Sequence, residues 1–193
     1  MRKIDDEIQA LLSEHRGDIR SILQDNHRLD LLYALSSQRE LLLEWYEFEP
    51  DAEVLQVGAD YGALTGLLRT SVKQVTVLDE TESALETVRQ RYPGATNIYY
   101  CKDSLMGFAG EACAEGKKYD YVIFAGTLAA PYEEHIRAAK SLLKPTGILI
   151  VAAANALGMK YFAGTSEEEN ALTKRQLTEL LCGEKETQSM AEE

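Results

Sequence analysis

The sequence predicts an α/β fold: a doubly wound, mostly parallel sheet preceded by helices. From Glu53 onward, short β-rich apolar runs alternate with helical stretches, the rhythm of a parallel sheet with crossover helices. The first run stops at a glycine-rich turn, Gly58-Ala59-Asp60-Tyr61-Gly62. Pro50 separates this alternating region from an N-terminal part with purely helical periodicity.

Taken in order, Ile4, Ile8, Leu11, Leu12, His15, Ile19, Ile22 and Leu23 recur at three- and four-residue steps, which places them on one helical face. Gly17 is expected to bend or split that helix, because glycine weakens a helix interior. Residues Arg28 to Ser36 predict a second helix. Gln38 to Tyr46 predict a third, running into the aromatic cluster Trp45, Tyr46 and Phe48. Val54–Val57 is the first strand, followed by a helix through Leu64 and Leu68. Gln74–Leu78 is the second strand, ending at Asp79, and Glu82–Tyr92 is a helix closed by Pro93-Gly94. Asn97–Cys101 and Tyr119–Phe124 are the third and fourth strands. An amphipathic helix, Tyr132–Leu143, stops at Lys144-Pro145-Thr146-Gly147, and Gly147–Ala153 is the fifth strand. After Ala163-Gly164 the chain turns acidic at Glu167-Glu168-Glu169. Thr173–Leu181 predicts one further helix, and the final EKETQSMAEE is expected to be disordered. The expected organisation is a helical cap over 1–49, a nucleotide-binding α/β domain over 50–165, and an acidic helix with a tail over 166–193.

Composition narrows the function. A chain of 193 residues can bury one real core. Its net charge of -12 disfavours nucleic acid and anionic membranes, which attract clustered Lys and Arg. The N-terminus MRKIDDEIQALL carries acids where a signal peptide needs an apolar run, and no stretch approaches the ~20 apolar residues of a membrane span. Cys101, Cys113 and Cys182 lack CxxC spacing and cannot all pair. That argues for a cytoplasmic, reducing setting, with no disulfide framework and no metal site.

Ligands of open α/β sheets sit beyond the carboxyl ends of the strands, so the strand ends are the candidate site. The turn Gly58–Gly62 lets backbone N–H groups approach a ligand at the start of a helix. Asp79, at the end of the second strand, can accept hydrogen bonds from ribose hydroxyls; it could equally cap the following helix. Asp103, in Cys101-Lys102-Asp103-Ser104, offers a carboxylate to an exocyclic adenine amine. Phe124-Ala125-Gly126-Thr127 leaves space at the fourth strand end.

These residues are where the chain resembles a known family. Glu53-Val54-Leu55-Gln56-Val57-Gly58-Ala59-Asp60-Tyr61-Gly62-Ala63-Leu64-Thr65-Gly66 resembles the first motif of class I S-adenosylmethionine (SAM)-dependent methyltransferases, which have a Rossmann-like fold. Tyr119–Ile123 and Leu142–Leu149 resemble the later motifs. The resemblance implies SAM as cofactor, with Asp79 as the ribose-binding acid and Asp103 as the adenine contact. Gly58, Ala59, Asp60, Gly62, Glu80, Ser104 and Ala125 complete the expected cofactor-binding set. Leu35–Glu40 with Glu44-Trp45-Tyr46, and Asn155–Gly164, resemble a narrower bacterial subgroup joined to, or encoded near, glycosyltransferases. That implies a small-molecule or glycan-related acceptor, a context in surface-polysaccharide synthesis, and a glycosyltransferase partner or a homo-oligomer.

The departures from the family are specific. An acid is usual at the position of Gln56 and a glycine at that of Asp60; in the subgroup, acids are usual where Ala129 and Ala154 stand. The family's sixth and seventh strands are not found in the sequence. A bare carboxylate at Asp60 would repel a dinucleotide pyrophosphate and suit the cationic ends of SAM. An NAD-dependent enzyme is therefore disfavoured, and the competing reading is a degenerate SAM-fold module that binds without catalysis. No catalytic residue is assigned: His135 is expected to face solvent, and His15 and His27 lie among the N-terminal helices.

Overall fold

A computed structural model describes residues 3–164 and 170–182. Three helices open it: α1 (Lys3–Glu14), α2 (Ile19–Asp25) and α3 (Leu29–Leu35). Their apolar faces close on each other through Ile8, Leu12, Ile22, Leu31 and Leu35, all almost fully buried, and Tyr61 packs against the same cluster. The long N-terminal helical pattern is split at Gly17 as expected. That residue has φ +80, and a Cβ there would lie 2.5 Å from the Gln90 carbonyl oxygen. Only glycine lets the α1–α2 corner seat this closely against the backbone at Gln90 and Arg91. Asp18 then caps α2, accepting the N–H groups of Arg20 and Ser21.

The sheet is built from β1 (Glu53–Val57), β2 (Gln74–Asp79), β3 (Ile98–Lys102), β4 (Tyr119–Ala125) and β5 (Leu143–Ala152), all parallel, in the order β3-β2-β1-β4-β5. The helices α4 (Thr65–Ser71), α5 (Glu82–Arg91), α6 (Leu105–Ala114) and α7 (Tyr132–Ser141) alternate with the strands. Two short helices follow, α8 (Met159–Phe162) and α9 (Lys174–Cys182). Successive side chains of a strand point to opposite faces, so β1 sends Val54 into one core and Leu55 into the other. The first core holds Val54, Val75, Val77, Tyr121 and Ile123; the second holds Leu55, Leu78, Tyr119, Val122 and Phe124. Burial on both faces explains why these runs read as continuous apolar stretches. The order reverses between β1 and β4, and that switch point is where ligands bind in such sheets.

Elsewhere the structure departs from the sequence reading. Residues 38–46 form no α-helix: a 3-10 helix spans Ser37–Leu42 and the chain then turns irregularly. Tyr46 and Phe48 are held edge-on against Tyr121 instead, with centroids 5.9 and 5.1 Å away, while Trp45 stays 75% exposed. Helix α6 was not anticipated, because Gly107 and Gly110 dilute its pattern; its signals are the Ser104 cap and the spacing of Leu105, Phe108, Ala109 and Ala112. Helix α9 matches expectation, opened by reciprocal hydrogen bonds between Thr173 and Gln176. The acidic run Glu167–Glu169 and the EKETQSMAEE tail lie outside the described residues. Among the described residues, no helix is long and apolar enough to cross a membrane.

Strand β5 starts four residues before its expected beginning at Gly147, and Pro145 falls inside it. The register jumps here: Tyr119 pairs with Leu143 but Tyr121 with Ile148, so Lys144–Gly147 bulges out and proline is tolerated. Lys144 reaches back across the bulge to Asp120 at 2.7 Å, and Asp120 also accepts the Glu53 N–H at 2.8 Å. Burial works against the Asp120 charge, but the Glu53 N–H and Lys144 outweigh it and hold the carboxyl below its ordinary range. A lowered carboxyl pKa gives stability that is present above about pH 4 and lost as pH falls through the lowered value. Asp120→Asn is therefore expected to lower Tm at neutral pH and to converge with the wild type in acid. A Tm deficit that stays constant down to about pH 2 would contradict this linkage.

Candidate functional site

The site is built where β1 and β2 end. Gly58 adopts φ +88, and its N–H donates to the Leu78 carbonyl. Thr127, from the loop after β4, sits directly against Gly58 and donates its hydroxyl to the Val57 carbonyl. Gln56, 3% exposed, braces the turn from beneath: its Nε2 donates to the Gly58 carbonyl at 3.0 Å, and its Oε1 accepts the Thr65 hydroxyl at 2.8 Å. A carboxylate could not donate to that carbonyl. The glutamine that departs from the family pattern is thus engaged in holding the loop.

Asp79 lies beside this turn. One carboxylate oxygen accepts the Ala59 N–H at 3.0 Å; the other accepts both the N–H and the hydroxyl of Thr81 at 2.9 Å. Thr81, not Asp79, holds the N-cap position of α5, without a capping hydrogen bond from its side chain; Asp79 ties the turn after β1 to the loop after β2. A carboxylate has about four acceptor sites, so capacity for a ligand hydroxyl is left. Asp103 continues the edge, its N–H bonded to the Asp79 carbonyl at 3.1 Å. Its carboxylate takes the Ser104 N–H, and the Ser104 hydroxyl caps α6. Glu80 is exposed directly after Asp79. Gly62 is drawn away from the edge: it is buried against Arg91 and Tyr92, and its carbonyl accepts the Tyr92 hydroxyl.

Asp60 does not present a bare charge. It is 2.6 Å from Arg39 of the 3-10 helix, and the same guanidinium contacts the Ala125 carbonyl at 3.4 Å. Burial pushes the Asp60 carboxyl upward, against the pull of Arg39 and Arg91. The expectation that Asp60 alone repels a pyrophosphate is corrected accordingly, since its partner neutralises it. Two cavities flank this ion pair. One, of about 620 Å³, is lined by Asp60, Asp79, Tyr61, Thr81, Ser83 and Asp5 among others. The other, of about 390 Å³, is lined by Arg39, Tyr33, Gln38, Gly126 and Ala152–Ala154. Among the described residues, no histidine, cysteine or lysine lines either.

The structure brings Gly58, Ala59, Asp60, Asp79, Asp103 and Ala125 to one sheet edge. Of the expected set, Asp60 and Asp79 line the first cavity; Gly58, Ala59, Gly62, Glu80, Asp103, Ser104 and Ala125 are not among its lining residues. Arg39 and Asp5 were not expected at the site, while Tyr61 and Thr127 were expected there as members of the turn and of the fourth strand end, with no role of their own. Arg39 lay within the stretch that resembles the narrower subgroup. Asp5 had no local signal; it arrives because α1 packs on α5, where its carboxylate accepts the Tyr61 hydroxyl at 2.7 Å and Gln9 donates to Ser83. His135 is half-buried rather than solvent-facing, and its Nδ1 bonds the Ala129 carbonyl at 2.9 Å. A carbonyl only accepts, so that nitrogen carries the proton. Cys101, Cys113 and Cys182 are unpaired.

No family model and no curated protein matches the chain. Solved structures do. The precorrin-8W decarboxylase of Methanobacterium thermoautotrophicum is 25% identical with a TM-score of 0.51, over 66% of this chain and 67% of that one. The N-methyltransferase NodS of Bradyrhizobium japonicum, solved with S-adenosylhomocysteine, is 19% identical with a TM-score of 0.54, over 90% and 83%. The [4+2]-cyclase SpnF is 17% identical with a TM-score of 0.57, over 76% and 55%. The five-stranded parallel sheet and its helices are therefore the Rossmann-like fold of class I methyltransferases. That these three proteins are described as carrying out different reactions shows that the fold does not set the chemistry.

Proposed function

We propose that the chain is a SAM-dependent methyltransferase acting on a small-molecule or glycan-related acceptor. The observation that carries this reading is the cavity between the Gly58 turn and Asp79, which is rich in carboxylates: Asp5, Asp60 and Asp79 all line it. Asp79 is placed there to accept a hydrogen bond from a neutral hydroxyl, a role in which a pyrophosphate, itself an acceptor, would not fit. Asp79 would take a ribose hydroxyl with its remaining acceptor capacity. Asp103, Ser104 and Glu80 would meet the adenine edge, and Gly58 and Ala59 would offer the close backbone. Bound SAM supplies an electrophilic methyl group. The residues of the second cavity, Tyr33, Gln38 and Arg39, would then orient the acceptor. Acceleration would come chiefly from alignment of donor and acceptor, which a direct displacement needs most. The helices of residues 1–49 serve in this reading as a cap that carries Asp5 and Arg39 to the domain of 50–165, with 166–193 as an appendage.

Calorimetric titration with SAM and with S-adenosylhomocysteine tests the reading. Saturable binding of both, with a rise in Tm, is expected; no heat and no thermal shift with either ligand would overturn it.

A second reading is a SAM-fold module that binds without catalysis in a cytoplasmic glycosyltransferase system, as a partner domain or a homo-oligomer. Ala154 favours it, because it lines the second cavity as a methyl group where the resembling subgroup carries an acid. Transfer of label from methyl-labelled SAM to a glycan or nucleotide-sugar acceptor would decide for the enzyme.

A further inference from the structure

We propose that the Arg39–Asp60 ion pair is a latch opened by the amino-acid end of the ligand. Arg39 would exchange the Asp60 carboxylate for the ligand's carboxylate, and Asp60 would take the ligand's ammonium. The inference rests on the reading of the strand-end cavity as a SAM site, and it assigns the determinants of the ligand's zwitterionic end.

The position of the pair carries the argument. Asp60 lines the cavity that holds Asp79, and Arg39 lines the neighbouring cavity at Gly126 and Ala152–Ala154, so their 2.6 Å contact stands at the boundary between the two. An α-amino acid group presents one ammonium and one carboxylate a few ångströms apart, which is the charge pattern that separating these two side chains would expose. The two belong to different segments, the 3-10 helix after α3 and the turn after β1, so they can part without breaking an element. Arg39 is lightly held otherwise: its side chain is 39% exposed, and its further hydrogen bond is the 3.4 Å contact to Ala125. Asp60, at 22%, is held in place by its backbone, which sits at φ 40, a left-handed conformation that Asp tolerates better than most residues. The nearby Arg91 cannot take over Asp60, because its two terminal nitrogens are bonded to the Tyr61 and Leu35 carbonyls.

The exchange replaces one internal ion pair by two pairs to the ligand, so the cost of opening is offset only when both ligand charges are present. An adenosine thioether without the amino-acid end would leave the latch shut. The acid at position 60, where the family usually has glycine, acquires a function in this reading.

The test is calorimetry with two probes, S-adenosylhomocysteine and 5′-methylthioadenosine, on the wild type, Arg39→Gln and Asp60→Asn, with each variant's fold checked by its thermal melt. Asparagine keeps the left-handed backbone accessible, so Asp60→Asn remains informative if Arg39→Gln fails to fold. Each variant is expected to weaken S-adenosylhomocysteine by about tenfold or more, while 5′-methylthioadenosine changes by less than about threefold. If the folded variants bind S-adenosylhomocysteine like the wild type, or lose both probes equally, the latch is overturned and the cofactor reading stands. If the wild type binds neither SAM nor S-adenosylhomocysteine, the cofactor reading falls and takes the latch with it.

Discussion

Replacing Arg91 with methionine is expected to lower stability by about 3 kcal/mol and to loosen the N-terminal helices. Arg91 is only 7% exposed, at the C-terminal end of α5, where the helix dipole favours a cation. Its guanidinium donates to the Tyr61 carbonyl at 2.9 Å and to the Leu35 carbonyl at 2.8 Å, and lies 5.6 Å from the Tyr92 ring centroid. One buried side chain therefore joins α5, the turn after β1 and the end of α3. Methionine keeps much of the apolar stem but removes the donor that Arg91 gives to each carbonyl, and a lost buried hydrogen bond costs desolvation of the group it served. Lysine should rescue little, because a single ammonium cannot span both acceptors with the geometry of the planar fork. Urea unfolding would measure the loss, and hydrogen exchange would place it. Amides of α1 to α3 should lose protection more than those of β1 or β4. A loss below about 1 kcal/mol would mean that solvent satisfies the two carbonyls and that the clamp is inconsequential.

Arg91 also shows where the sequence stopped being legible. The strands, their order of appearance and the split at Gly17 follow from local periodicity and from glycine's freedom, which are written in adjacent residues. The sheet edge was legible too, because in an open parallel sheet each strand end falls on the same side, so Gly58, Asp79, Asp103 and Ala125 had to converge. Pairing between distant side chains was not legible. Nothing near Arg39 marks it as the partner of Asp60, and nothing near Asp5 marks it as the acceptor for Tyr61; both contacts exist because the N-terminal helices fold back over α5. Asp60 read as an isolated carboxylate for the same reason: its partner Arg39 lies in another segment. The Gln38–Tyr46 helix failed by a related route. Its aromatic residues are held by Tyr121, and tertiary packing outweighed the helical spacing.

Gly58→Ala is expected to cost about 3 kcal/mol, and the cost should divide into two separable parts. The first is backbone strain: at φ +88 an alanine pays about 1–2 kcal/mol. The second is overlap, because a Cβ at Gly58 would lie 2.7 Å from the Thr127 Cβ, and Thr127 is not free to turn aside while its hydroxyl donates to the Val57 carbonyl. Forcing such a contact costs about 1–3 kcal/mol. Thr127→Ala alone should lose about 1 kcal/mol, the value of the hydrogen bond. The double variant Gly58→Ala/Thr127→Ala should then be more stable than the sum of the single losses predicts, since the closer overlap with the Thr127 Cγ2 is gone and the Cβ left at position 127, released from the hydrogen bond to Val57, can move aside. Strict additivity in urea unfolding would refute this division. The ligand provides a second readout. Displacing Gly58 shifts the Ala59 N–H that anchors Asp79, so S-adenosylhomocysteine affinity should fall in Gly58→Ala and recover in part in the double variant. The sequence alone suggested that this glycine admits a ligand; in the folded chain its missing side chain admits Thr127, and the strand-end turn is shaped from the β4 side before any ligand arrives.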